Sequence, residues 1–190
     1  MNGNGTYPTP AGFALPTTGT VIGTYTWTAI YGGDANNSSA TDQGGSAEQV
    51  MVNPASPALD TTASSGGLVG STLTDSAIVS GGYFPTGTIT FTLTDPGGSV
   101  VDTETVGVDG NGTYVTSVGF TTSSAGQYQW EATYIGDGNN LTETASLESV
   151  SVAAPEPGSF ALLGSALGGL GAIRRRLRNR PSRCKADALI

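Results

Sequence analysis

Oxygen-bearing side chains gather at three tight turns: Gly33-Asp34 to Asn37, Asp109 to Asn111, and Gly136-Asp137 to Asn140. Carboxylate and amide oxygens of this kind are the ligands a calcium ion takes. None of the three has the spacing of a complete calcium loop, and Asp-Gly and Asn-Gly are turn formers in their own right, so no metal ligands are assigned. Other chemistry is scarcer still. The 190 residues include no His and a single Cys, Cys184. Nearly every zinc or iron site needs those residue types, and so do the Ser-His and Cys-His nucleophile pairs. The acids before Arg174 are scattered, with no pair placed in a cleft for general acid–base work. The expectation is a chain with no catalytic residues and no cofactor, and therefore not an enzyme.

The elements that must carry these turns are constrained first by charge. All seven basic residues fall at the end: Arg174, Arg175, Arg176, Arg178, Arg180, Arg183 and Lys185. Residues 1–173 hold fourteen acids and no base, a net of −14, against +6 for 174–190, which together give the net −8 of the chain. Such an acidic body excludes nucleic acid as a partner, because phosphates must be neutralised by cations. Bases confined to one side of an apolar run predict an exported body and a cytoplasmic tail.

An internal repeat organises the body. Asn2-Gly3-Asn4-Gly5-Thr6-Tyr7 returns as Asp109-Gly110-Asn111-Gly112-Thr113-Tyr114, and Phe13 returns as Phe120. Tyr25-Thr26-Trp27-Thr28-Ala29-Ile30-Tyr31-Gly32-Gly33-Asp34-Ala35-Asn36-Asn37 returns as Tyr128-Gln129-Trp130-Glu131-Ala132-Thr133-Tyr134-Ile135-Gly136-Asp137-Gly138-Asn139-Asn140. The offset is 107 up to Phe13 and 103 from Tyr25, so the first copy carries four extra residues between them. Insertions belong in surface loops. Residues 57–152 hold a complete repeat, and residues 1–53 hold only the C-terminal half of another. Met1 falls in mid-repeat with no signal peptide before Asn2, which predicts a fragment or a truncated gene model. Residues 1–52, lacking a facing sheet, are expected to be poorly stabilised.

Thr88 to Thr94 alternates strictly, with Ile89, Phe91 and Leu93 on one face and threonines on the other. Leu73 to Val79 reads as another strand. Asp109-Gly110-Asn111-Gly112 reads as a hairpin-type turn between Val106-Val108 and Thr113-Val118. Tyr128, Trp130, Ala132 and Tyr134 share one face of a further strand, and Ser146 to Val152 supplies the last. Short strands with frequent turns and no helical periodicity predict an all-β sandwich.

Gly126-Gln127-Tyr128-Gln129-Trp130 has the spacing of an immunoglobulin strand in which a corner Tyr precedes the core Cys by two residues. Trp130 stands where that Cys would be, and Gly23-Thr24-Tyr25-Thr26-Trp27 repeats the arrangement. Ala77 or Val79 would face the indole. Tyr128, Trp130, Tyr25 and Trp27 are therefore assigned to structural core, and the parity of Trp130 with Ala132 and Tyr134 argues against a sugar-stacking role. On these residues, with Gly81-Gly82-Tyr83-Phe84-Pro85-Thr86-Gly87 upstream, the body resembles the bacterial immunoglobulin-like repeats of large extracellular proteins. The resemblance implies spacers in adhesins and surface proteins, with neighbouring repeats or an extracellular polysaccharide as partners.

Pro155-Glu156-Pro157-Gly158 is followed by an uncharged run of 15 residues, 159–173, and then by Arg174, Arg175 and Arg176. As a helix the run would span roughly 22 Å, short of a hydrocarbon core of ~30 Å unless the arginines snorkel and the bilayer thins. Motif, apolar span and arginines in this order resemble the PEP-CTERM sorting signal of Gram-negative bacteria, over residues 155–180, with a basic tail at 181–190. The resemblance implies an exosortase-type enzyme acting near Pro155-Glu156-Pro157 on a membrane-anchored precursor held by a transmembrane-type helix. The mature form would then reach the cell surface or extracellular matrix. The fourteen residues after Arg176 depart from it, since such chains usually stop sooner.

Leu15-Pro16-Thr17-Thr18-Gly19 fits the sortase pattern letter for letter, but a strand follows it rather than an apolar span and a basic tail, so it reads as a loop of turn formers. The leading expectation is a non-enzymatic exported surface or matrix protein. The alternative is a carbohydrate-binding or appendage fragment of a larger secreted adhesin or enzyme, its active domain upstream of Met1.

Overall fold

Residues that alternate between apolar and hydroxyl side chains bury one face of each strand and leave the other to water. The computed structural model, which describes residues 3–156, builds the two main sheets on that rule, beside three two-stranded ribbons. Met1–Ala153 form one compact unit. Pro157, the apolar span, Arg174, Arg175, Arg176 and the basic tail lie outside the described residues. Among the described residues no helix is long and apolar enough to cross a membrane.

The half-repeat supplies β1 (Gly23–Thr26), β2 (Ala29–Tyr31), β3 (Ala40–Asp42) and β4 (Gln49–Val52). β1 pairs antiparallel with β4, and β2 pairs antiparallel with β3, Tyr31 opposite Ala40. The complete repeat supplies β5 (Ala58–Ala63), β6 (Thr72–Leu73), β7 (Asp75–Ser80), β8 (Thr88–Thr94) and β9 (Val100–Gly107). It continues with β10 (Gly112–Val115), β11 (Phe120–Thr121), β12 (Gly126–Tyr134), β13 (Glu143–Thr144) and β14 (Glu148–Val152). One sheet runs β10-β7-β5. The other runs β9-β8-β12, with β13 and β14 both on the far edge of β12. All these pairings are antiparallel. The result is an all-β, immunoglobulin-like sandwich.

The core lies between these sheets. Leu59, Ala77 and Val79 come from one side, and Ile89, Phe91, Leu93, Tyr128, Trp130, Ala132, Tyr134, Val150 and Val152 from the other. β8 buries Ile89, Phe91 and Leu93 completely while its threonines stay half-exposed. At ~1.5–3 kcal/mol for each fully buried large apolar side chain, this layer is the main stabilising element.

Two details differ from expectation. The Asp109–Gly112 turn does not close a hairpin. β9 pairs with β8 and β10 pairs with β7, so the turn carries the chain from one sheet to the other. Tyr114 fixes it by donating to the Gly110 carbonyl (2.7 Å) and accepting from the Asp109 N–H (2.9 Å). A turn signal specifies a change of direction and leaves the partner strand open. The strand expected over 73–79 is broken at Thr74, whose carbonyl accepts from the Ser64 N–H (2.8 Å) and whose N–H donates to Ser64 Oγ (3.0 Å).

Candidate functional site

The two repeat copies share their local hydrogen bonds. Tyr128 donates its hydroxyl to the Ser124 carbonyl (3.2 Å), and Tyr25 donates to the Val21 carbonyl (2.8 Å). Each bond reaches four residues back and forms a tyrosine corner. What surrounds them differs. Tyr128 and Trp130 are 1% and 0% exposed, in one cluster with Ala77 and Val79. Tyr25 is half-buried, and Trp27 is 41% exposed. The core role expected of Trp27 is therefore corrected. In the complete repeat the equivalent residue pairs with Leu93 of β8 and faces a second sheet. The half-repeat has neither, so Trp27 joins a shallow apolar patch with Phe13, Leu15, Val50 and Val52.

The acidic turns are hydrogen-bond staples. Asp137 Oδ1 accepts from the N–H groups of Asn139 (2.7 Å) and Asn140 (3.0 Å) and from Asn140 Nδ2 (2.8 Å). Its Oδ2 accepts from the Thr86 N–H (2.6 Å) and hydroxyl (2.9 Å). Burial would raise its pKa, but the donors of Thr86, Asn139 and Asn140 outweigh it and bring the carboxyl down to about 2. Asp34 repeats the pattern with Asn36 and Asn37, which with Tyr31 lower its pKa. A cation at either carboxylate would meet the positive ends of N–H dipoles and would have to displace them. The carboxylates of these turns are taken up by donors of the chain, and among the described residues no group of three or more acidic or Cys side chains converges.

One acidic pair escaped the sequence reading. Asp75 is 2% exposed, with Oδ2 unpartnered and Oδ1 accepting only the Ser76 N–H (2.7 Å). Glu148 Oε2 and Trp130 Nε1 are also buried without a partner. Burial first, and the neighbouring Glu148 charge after it, push the Asp75 carboxyl up to about 7 against the opposing Ser76 bond. The signal was available. Asp75 shares the inward parity of Ala77 and Val79, and Glu148 that of Val150 and Val152. The pair sits inside the sandwich, with Asp75 buried and Glu148 half-buried.

The Leu15–Gly19 loop is engaged with the complete repeat. Tyr83 directs its hydroxyl at the carbonyls of Leu15 (3.2 Å) and Pro16 (3.0 Å). Asn139 donates Nδ2 to the Gly19 carbonyl (2.8 Å) and accepts the Val21 N–H at Oδ1 (2.7 Å). At the other end of the domain the chain is held as far as Ala153, whose N–H donates to Gly67 (2.8 Å) and whose carbonyl accepts from Val69 (3.0 Å). Pro155 and Glu156 follow immediately and are exposed.

No family model and no curated relative matches the chain. Among solved structures, the chain is similar to the CARDB domain of the PF1109 protein from Pyrococcus furiosus, crystallised in complex with di-metal ions. Identity is 18% and the TM-score is 0.35, over 51% of this chain and 89% of that one. The class that the strands themselves define is an all-β, immunoglobulin-like sandwich.

Proposed function

We propose that this chain is a non-enzymatic exported protein of the cell surface or extracellular matrix. Its sandwich domains act as spacer or adhesion modules, and its C-terminal tail is a sorting signal processed by an exosortase-type enzyme. The observation that carries the reading is the confinement of every basic residue behind one apolar run, directly after Pro155-Glu156-Pro157. The exposure of Pro155 and Glu156 just past the last backbone bond of the sandwich supports access by a processing enzyme. The non-enzymatic reading draws support from the saturation of the turn carboxylates and the enclosure of Asp75. Replacing Pro155, Glu156 and Pro157 with alanine in an exosortase-bearing host should leave the precursor unprocessed in the membrane fraction. Normal processing of that variant would overturn the reading.

The exposed aromatic patch of Trp27, Phe13 and Tyr25 favours a second reading, a carbohydrate-binding fragment of a larger secreted protein. A glycan array separates the two: binding abolished by Trp27→Ala selects the second.

A further inference from the structure

We propose that the four extra residues of the first repeat copy form a docking arm. The arm seats the half-repeat on the tip of the complete repeat and fixes the angle between consecutive repeats. The biological meaning of a fixed angle rests on the spacer reading above; the joint itself does not.

The insertion lies between Phe13 and Tyr25, and this is the stretch that reaches across. Its backbone offers Tyr83 two carbonyls and offers Asn139 one carbonyl and one N–H. Asn139 therefore satisfies both ends of its carboxamide on one short stretch of backbone, Gly19 to Val21. Val21, the residue so gripped, is 4% exposed, in a half-repeat whose Phe13, Trp27 and Ile30 are all exposed. The connector is bound to the same loop. The Ala55 N–H donates to the Asn139 carbonyl (2.8 Å) and the Ala55 carbonyl accepts the Leu141 N–H (2.9 Å), which leaves the junction at 53–57 little freedom.

The tip is shaped for this contact. Asp137 accepts the Asn139 N–H and so helps to aim that side chain. Phe84 takes φ +44°, rare for a bulky residue, and meets the Tyr83 ring edge-on at 5.1 Å. A Cβ at Gly138 would lie 2.7 Å from Thr20 Oγ1, so a side chain there would push the Thr20 hydroxyl aside. Relative motion is the default for domains joined by a small interface; here backbone hydrogen bonds at four residues on one side and the sewn connector oppose it.

The test uses the full chain in detergent with Cys184→Ser and spin labels at two exposed positions, Thr41→Cys and Thr105→Cys. Pulsed electron–electron distance measurement should give one narrow distribution. Deleting Leu15–Thr18, or combining Asn139→Ala with Gly138→Val, should broaden it by about two-fold or more as the domains regain the motion expected of small interfaces. Tyr83→Phe removes a single hydroxyl, leaves the core intact and should broaden it less. A wild-type distribution as broad as that of the variants, or variants as narrow as wild type, overturns the joint. Surface display scored in cells for the same variants should not change. A failed joint with normal display leaves the spacer reading standing, and a wild-type chain that never reaches the surface, while its distance is narrow and the variants broaden as expected, refutes the surface reading alone.

Discussion

Replacing Asp75 with Asn should stabilise the sandwich at pH 8 and remove most of its pH dependence between pH 4 and pH 7. Asp75 is enclosed between the sheets, with Glu148 as its charged neighbour and the Thr116 hydroxyl bonded to its backbone N–H rather than to its carboxylate. No Lys or Arg precedes Arg174, so the body of the protein has no cation with which to pair a buried carboxylate. The inexpensive counter-ion is a proton. Its pKa accordingly rises from 3.8 to about 7. The folded state holds the proton where the unfolded chain has released it, so stability is full below pH 4, falls as the pH climbs towards 7, and levels off above. At ~1.36 kcal/mol per pKa unit the full rise is worth about 4 kcal/mol, and solvent screening through half-buried Glu148 brings it nearer to about 2. Asn keeps the oxygen that accepts the Ser76 N–H and adds a donor for Glu148, at no charge. Urea melts of both proteins from pH 4 to pH 8 read the difference directly. Wild-type stability flat across that range, or a variant less stable than wild type at pH 8, would refute the reasoning.

Trp130→Ala should cost ~3–5 kcal/mol, as large core truncations do, while Trp27→Ala costs under ~1 kcal/mol; iodide should quench only the Trp27 share of the emission. Asp137, with its lowered pKa, contributes stability that is present above pH 4 and lost as the pH falls towards 2. Asp137→Asn should therefore flatten the acid limb of the same melts. Amide hydrogen exchange should be fast over residues 3–52 apart from the docked Val21 amide, since ribbons of three and four residues have no facing sheet, and slow over 70–152. Equal protection in both would show that the docking arm shields more than its own backbone.

Strand β8 was legible because Thr and large apolar residues alternate without a fault from Thr88 to Thr94, and period two has one structural meaning. The face of Tyr128, Trp130, Ala132 and Tyr134 was legible for the same reason. Partner choice was not. A local turn at Asp109–Gly112 looks the same whether the chain returns to its own sheet or crosses to the other, and the difference is decided by the distant Val79 and Ile89 edges. Trp27 shows the complementary limit. Its sequence context matches that of Trp130 at nine of the fifteen positions from Gly23 to Asn37, yet burial needs a second surface, and the half-repeat supplies none. The acid pair lay within reach of parity counting but looked like two isolated surface acids, because Asp75 and Glu148 are 73 residues apart in the chain. The docking arm showed itself only as an offset change from 107 to 103.

Intact-mass analysis of the protein recovered from the surface of an exosortase-bearing host tests the central claim most directly. The account predicts a mature chain that stops near Pro155-Glu156-Pro157 and lacks the apolar span and Arg174, Arg175 and Arg176. It would carry thirteen acids through Glu148 and no base. A surface form that still ends at Ile190 would contradict it, and would make the tail a permanent anchor instead of a removable address.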